Sequence, residues 1–100
     1  MTKTVDLHPE ARAEYLDALA WYIAHSERVG RRFQAELNST MDWLADFSEQ
    51  CPHFDKDTLF KRLKRFPYVL FFELLPDNKI QVLAIAHERR RPGYWRHRRT

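Results

Sequence analysis

The sequence predicts an α+β domain of two layers, in which an N-terminal strand and an antiparallel helical hairpin pack on an antiparallel β-sheet. Two stretches before Gln50 repeat apolar residues every three or four positions, which is typical of amphipathic helices. After Gln50 the apolar residues alternate or run continuously, which is typical of strands. Hydrophobic residues make up 44% of the chain, enough for a buried core. We therefore expect residues 1–100 to form one domain with the order β-α-α-β-β-β.

The first strand and the first helix follow one another closely. Val5 and Leu7 alternate with polar residues, which indicates a short strand. The run His8-Pro9-Glu10 is typical of a helix start, because proline suits the first helical position and an acidic residue suits the first turn. This helix should end near His25. Its predicted buried stripe consists of Leu16, Leu19, Ala20 and Ile23.

A second helix is predicted after a break at residues 26–30. Its buried stripe consists of Phe33, Leu37, Met41, Leu44 and Phe47. Because few residues remain for the connection, the two helices should form an antiparallel hairpin. Trp21, Tyr22 and Trp43 lie on or beside the two stripes, and we interpret them as core or hairpin contacts.

Three strands are predicted beyond the helices. Residues 59–66 alternate loosely, residues 68–75 are aromatic and β-branched, and residues 80–86 are almost wholly apolar. Pro76-Asp77-Asn78-Lys79 supplies turn residues between the last two strands. The continuous apolar run predicts that the last strand is central. The four basic residues of the second strand place it near an edge of the sheet.

Charge is segregated along the chain. Residues 1–58 carry six Lys/Arg and eleven Asp/Glu, whereas residues 59–100 carry eleven Lys/Arg and three Asp/Glu. Six of the last twelve residues are arginine, and they surround the pair Tyr94-Trp95. Guanidinium groups and flat rings are suited to phosphates and bases. The basic half therefore indicates a polyanionic partner, which is either a nucleic acid or an acidic protein.

Several classes of protein do not fit this composition. Two glycines are too few for a glycine-rich phosphate loop, and no apolar run approaches the roughly 20 residues that span a bilayer. His8, His25, His53 and His97 share no ligand-like spacing, so we expect no metal site. We also expect no cofactor. Cys51 is the single cysteine, which fits a reducing cytoplasm, and we interpret it as a buried or incidental thiol.

The order and spacing of four stretches resemble the RelE/ParE superfamily of type II toxin–antitoxin toxins. These stretches are His8-Pro9-Glu10-Ala11, Trp21-Tyr22, Phe66-Pro67-Tyr68 and residues 82–90. The resemblance covers essentially the whole chain. It implies one of two activities, because RelE-like members cleave mRNA on the ribosome and ParE-like members inhibit DNA gyrase. It also implies a cognate antitoxin with an acidic or amphipathic segment, in a toxin–antitoxin hetero-oligomer.

The resemblance also implies site residues. The catalytic candidates are His87 as general acid or base, Arg90 as phosphate clamp, and Tyr94 as stacking or acid–base tyrosine. The candidates for nucleic-acid binding are Arg62, Lys64, Arg89, Arg91 and Arg96. Because the basic residues of the second strand alternate between faces, at most one pair of them can share a site.

Two positions depart from the RelE-like pattern. Val69 follows Tyr68 where RelE-like nucleases place arginine, and Phe60 occupies a lysine position of the second strand. Three activities stay open: ribosome-dependent mRNA cleavage, gyrase inhibition without catalysis, and an inactive homologue that only pairs with its antitoxin. We favour mRNA cleavage on the clustering of the catalytic candidates at one strand end.

Some of these residues also have structural interpretations. For His87 we favour a structural interpretation, as a hydrogen-bonded residue that caps the sheet, over a role in the site. Trp95 follows a Pro-Gly turn and is expected to pack against the sheet, because tryptophan buries a large apolar area. The whole site depends on the arginine-rich ending folding back toward the second strand.

Overall fold

The computed structural model describes residues 2–99 and confirms the predicted fold class and element order. The strands and helices are β1 (Thr4–Leu7), α1 (Pro9–His25), α2 (Glu27–Phe47), β2 (Leu59–Arg62), β3 (Tyr68–Leu75) and β4 (Lys79–His87). Two short 3-10 turns follow α2 and β4, at Ser48–Gln50 and Arg96–Arg98. Among residues 2–99, neither helix has the length and hydropathy that crossing a bilayer requires.

The connection between the helices is shorter than predicted. Only Ser26 interrupts them: its N–H donates to the Tyr22 carbonyl at 2.7 Å, and its side-chain oxygen accepts from the Val29 N–H at 3.3 Å. One serine therefore ends α1 and caps α2. The predicted break at residues 26–30 was wrong because Gly30 lies within α2. A Cβ atom on Gly30 would lie 2.4 Å from Ile23 Cγ1, so the missing side chain permits the close crossing of the helices.

The sheet has the strand order β1-β4-β3-β2. Strand β4 is central and β2 is at an edge, as predicted. Strands β2, β3 and β4 are antiparallel, and β1 adds to β4 in parallel, along residues 79–82 only. The turn between β3 and β4 places Asp77 and Asn78 at φ values of 64° and 56°. These two residue types tolerate that left-handed conformation, which confirms the predicted hairpin.

Strand β2 ends at Arg62, four residues before the predicted end. Beyond it, the Leu63 N–H donates to the Tyr68 carbonyl at 3.0 Å. The N–H groups of Lys64 and Arg65 both donate to the Glu36 carboxylate on α2. Because these backbone groups bond to a helix side chain and to the next strand, the segment turns and cannot continue the ladder.

The helices cover one face of the sheet. Phe33, Leu37 and Leu44 of the predicted α2 stripe are fully buried there. The predicted α1 stripe was right only at Leu19, which packs against the core, whereas Leu16 and Ile23 are 48% and 45% exposed. Helix α1 instead turns a largely different set of residues inward. Its inward residues are Ala11, Tyr15, Ala18, Leu19 and Tyr22. The small alanines let the helix lie close to the sheet, and the tyrosine rings pack near Phe33.

The opposite face of the sheet is covered by the chain after β4. Trp95 is fully buried on this face and stacks on Phe71, with ring centroids 4.7 Å apart. The remaining buried members of this second cluster are Val69, Leu83, Ala84 and Ala86. Phe54 from the loop before β2 completes the cover. The arginine-rich ending therefore folds back across the sheet toward β2, as the predicted site requires.

Candidate functional site

An open pocket of about 150 Å³ lies on the second face of the sheet, where β3 begins and β4 ends. Val69, Ala86 and Trp95 contribute buried apolar surface to its lining. Phe60 on β2 adds an aromatic ring. The polar residues around it are Arg62, His87, Glu88, Arg90 and Arg91. This pocket, hereafter the arginine pocket, combines an apolar lining with three guanidinium groups.

Five of the eight predicted site residues meet at the arginine pocket. They are Arg62, His87, Arg90, Arg91 and Tyr94. Arg89 is exposed in the turn after β4 and is absent from the lining. Lys64 lies beside α2, next to Glu36. Arg96 lies toward the loop before β2, with its Nε 3.5 Å from the Asp55 carboxylate.

The arginines of the pocket are held in different ways. The Arg90 guanidinium lies over the Tyr94 ring at 3.9 Å from the centroid, which is cation–π geometry. Arg62 Nη1 lies 3.8 Å from the Glu88 carboxylate, and both side chains are exposed, so solvent screens this pair strongly. This contact holds the Arg90 guanidinium against the Tyr94 ring, and its N–H groups can still donate to an anion.

Tyr94 is anchored by a carboxylate on α1. Its hydroxyl donates to Glu14 Oε2 at 2.5 Å. Burial raises the pKa of Tyr94 well above its ordinary value of 10.0, and the hydrogen bond to Glu14 and its charge raise it further. The hydroxyl therefore acts as a hydrogen-bond donor to Glu14. It stays protonated at neutral pH.

Glu14 is shared between three partners. Besides Tyr94, its carboxylate accepts from the Ile85 N–H at 3.0 Å and from Arg98 Nη1 at 2.9 Å. Arg98 is buried, and the same Nη1 donates to the Leu83 carbonyl at 3.0 Å. The ion pair thus satisfies backbone groups of β4 beyond the end of β1, and it ties the C-terminal segment to α1.

Sequence reasoning missed Glu14 and Arg98. Glu14 lies three residues after Ala11 and four before Ala18, on the face that α1 buries, but the apolar pattern of the sequence indicated a different face. A carboxylate on a buried helix face requires a partner of opposite charge. Arg98 gave no signal of its own, since it is one of six arginines in the ending.

A second tie links the ending to the loop before β2. Arg99 contacts the Asp55 carboxylate, and Arg96 lies beside it. Burial opposes ionisation of Asp55, but the Asp57 N–H and the Arg99 guanidinium outweigh it and lower the pKa of this carboxyl. The Asp55 loop therefore holds the C-terminal segment by ion pairs on the outer side of the arginine pocket.

His87 closes the pocket at the end of β4. Its ring meets the Tyr68 ring edge-on, with centroids 5.2 Å apart. Its Nδ1 accepts from the Arg89 N–H at 3.1 Å, so the neutral ring would carry its proton on Nε2. Within residues 2–99, no group of His, Cys, Asp or Glu has an arrangement that could hold a metal ion.

The arginine pocket places guanidinium groups next to aromatic and apolar side chains, an arrangement that can hold an anion beside a flat or apolar group. The arginines supply charge-assisted hydrogen bonds, and Phe60 and Trp95 supply apolar contact. Acid–base chemistry has less support. Of the predicted catalytic residues, Tyr94 is engaged by Glu14. The pocket lining also contains Val69, at the position where the resemblance to RelE-like nucleases implies an arginine.

Comparison with known proteins agrees with the fold. Residues 5–92 match the model of the family described as the ParE toxin of the type II toxin–antitoxin system, parDE. A solved structure described as the chromosomal ParDE TA system from P. aeruginosa has 18% sequence identity and a TM-score of 0.72, over 86% of this chain and 96% of that chain. No curated protein matches the chain. The resemblance to the RelE/ParE superfamily is confirmed, and because the family model spans most of the sequence, the chain belongs to the ParE toxin family of type II toxin–antitoxin systems.

Proposed function

We propose that this toxin arrests growth by binding DNA gyrase through the arginine pocket, without catalysing a reaction. The observation that carries the proposal is the hydrogen bond from the Tyr94 hydroxyl to Glu14. Because this hydroxyl donates to Glu14, it is not free to act as a general acid or base. Arg62, Arg90 and Arg91 line the pocket, where they can contact a partner. A binding mechanism needs those arginines and the apolar lining and no proton donor.

Ribosome-dependent mRNA cleavage is the second candidate. It is favoured by the meeting of His87 with three arginines around one pocket, since fixed positive groups can stabilise the charged phosphorane. Attack by the RNA 2′-hydroxyl also needs a base and an acid. His87 supplies only one of these groups, and the apolar Val69 supplies neither. We therefore rank cleavage below binding.

Expression of the chain alone in bacteria separates the two candidates. Inhibition of gyrase should produce filaments and a DNA-damage response with intact transcripts, and purified toxin should slow supercoiling by purified gyrase. RNA 5′-end mapping from the same cells detects the alternative. New 5′ ends within open reading frames, with unimpaired supercoiling, would reverse the ranking.

The neighbouring arginines Arg89 and Arg90 should differ in their effect on toxicity. Arg90→Ala removes a guanidinium from the pocket, and the loss of a charged hydrogen bond of about 1.5–3 kcal/mol should weaken target binding roughly tenfold to a hundredfold. Arg89→Ala changes the net charge equally outside the pocket and should leave toxicity nearly unchanged. Growth after graded induction measures both. Equal relief by the two variants would show that bulk charge matters and the pocket does not.

We also propose a cognate antitoxin as the partner of this chain. The side chains of Leu16 and Ile23 form a half-exposed apolar stripe on α1, although Ile23 also lies against Gly30 of α2. The arginine pocket lies at the far side of β4. An amphipathic antitoxin segment with acidic residues would cover the stripe with its apolar face and neutralise the basic surface with its carboxylates.

Antitoxin affinity should decrease as salt increases. Exposed charge pairs are screened over about 8 Å at physiological ionic strength, so contacts to the arginine pocket should weaken between low and high salt. Titration calorimetry across a range of NaCl concentrations measures the dependence. A dissociation constant that stays constant would indicate that burial of the α1 stripe dominates binding.

A further inference from the structure

An open groove of about 280 Å³ lies between α1 and the end of β4, next to the arginine pocket. Ala18 and Ile85 form the buried apolar part of its lining. His87 and Arg90 belong to the linings of both the groove and the arginine pocket. The two cavities therefore form one continuous surface around the end of β4. This second cavity is hereafter the α1 groove.

Trp21 lines the α1 groove and is the most exposed large hydrophobic side chain among residues 2–99, at 58%. The interpretation as a core contact was therefore wrong for this residue. The ring stacks on His25, with centroids 4.0 Å apart, and meets the Tyr22 ring edge-on at 5.2 Å. The His25 Nδ1 also lies 2.7 Å from the Trp21 carbonyl oxygen. Tryptophan is enriched among the residues that dominate the binding energy of protein interfaces.

The α1 side of the groove is acidic. Glu14 belongs to this side, but its carboxylate is already engaged by its three partners. Asp17 lies one turn before Trp21, its side chain is exposed, and within residues 2–99 it forms no ion pair. Because His25 covers one face of the indole from the following turn, a cation on the other face would lie near Asp17. This side of the groove therefore suits a lysine or arginine side chain of a partner.

The opposite side of the groove is basic. Arg90 supplies a guanidinium there, and Tyr68 and His87 complete the lining with rings that meet edge-on. A nucleic acid is disfavoured as the occupant, because the Asp17 carboxylate would repel its phosphates. A polypeptide can present side chains of both signs. The charges of the groove therefore favour a protein segment.

We propose that the target protein occupies the α1 groove with a segment that carries two charged side chains. A basic side chain would bind between Trp21 and Asp17, and an acidic side chain would bind Arg90. The inference rests on the proposed function, because it extends the target surface from the arginine pocket along α1. The stripe of Leu16 and Ile23 lies on a different side of this helix and stays separate from the groove.

Growth after graded induction and supercoiling by purified gyrase measure the role of the groove. Trp21→Ala should weaken both effects about tenfold or more, as is usual for an interface anchor. Asp17→Lys should weaken them about fivefold or more, because it replaces attraction for a cation by repulsion. The matched controls are Phe47→Ala and Asp42→Lys, which change an exposed ring and an exposed charge of α2 outside both linings. They should leave both readouts nearly unchanged. Circular dichroism verifies the fold of all four variants.

Three results would overturn the proposal. One is unchanged toxicity of Trp21→Ala and Asp17→Lys; if these variants only escape neutralisation by the antitoxin, the groove belongs to the antitoxin. Another is stronger toxicity of Asp17→Lys, which would indicate an anionic occupant. The third is an equal loss in the controls, which would assign the effect to apolar area or net charge in general.

Failure of the proposed function is distinguishable from failure of this inference. A wild-type toxin that arrests growth without slowing supercoiling would refute gyrase as the target. The groove variants would then still be compared by growth, which does not depend on the identity of the target. A wild-type chain that arrests no growth would refute both proposals.

Discussion

Replacing Glu14 with alanine should lower the free energy of unfolding by about 3–5 kcal/mol, the usual cost of breaking a buried ion pair from one side. The side chain of Arg98 is only 6% exposed and would keep only the carboxylate of the half-exposed Glu10, 3.5 Å from its Nε, as a partner for its charge. The Tyr94 hydroxyl and the Ile85 N–H would lose their acceptor as well. Each unsatisfied group adds to the cost.

Urea denaturation followed by circular dichroism measures this effect. Asp17→Ala is a matched control, because it removes a carboxylate from an exposed position one turn along the same helix. It should change stability by less than about 0.5 kcal/mol. Glu14→Gln keeps an amide oxygen as the acceptor for one donor. Its loss of stability should therefore lie between those of Glu14→Ala and Asp17→Ala. A Glu14→Ala variant as stable as the control would mean that Arg98 has another way to be solvated.

Trp95→Ala should have a similarly large effect, about 3–5 kcal/mol, because it opens a cavity where a fully buried ring now lies. The ring stacks on Phe71, and Phe54 meets it at 5.4 Å between centroids. Because Trp95 also lines the arginine pocket, the variant should lose toxicity together with stability.

Trp95→Phe distinguishes packing from a polar role. The indole Nε1 has no hydrogen-bond partner within the described chain. Replacement by phenylalanine therefore reduces the buried volume but breaks no hydrogen bond. We expect it to restore more than half of the stability lost in Trp95→Ala, measured by thermal unfolding. Equal losses in the two variants would show that the indole nitrogen has an unrecognised contact.

The pattern of apolar residues predicted the fold well where a strand is buried on both faces of the sheet. The continuous run in β4 placed that strand at the centre of the sheet, and the basic β2 lies at an edge. The same reasoning chose the wrong face of α1. Leu16 and Ile23 repeat with helical spacing yet are exposed, whereas Ala11 and Ala18 are buried. Periodicity shows that a helix has an apolar face, but it cannot show which neighbour covers that face.

The site was also predictable only in part, because the sequence shows which residues are basic but not which distant residues they contact. Arginine density identified the ending, and the structure brings Arg62 and Arg90 to one pocket. The anchoring of that ending could not be foreseen, because Glu14 and Arg98 are 84 positions apart and meet only when the chain crosses the second face of the sheet. Long-range pairing of this kind depends on the path of the whole backbone.

The contacts of Glu14 and Arg98 with β4 also cover backbone groups with which a strand of another chain could pair. Strand β1 covers the first half of the central strand only, which would leave N–H and C=O groups bare at Leu83 and Ile85. A carboxylate and a guanidinium occupy those two groups in place of another strand. Side chains thereby block a template on which copies of the toxin would otherwise stack into aggregates.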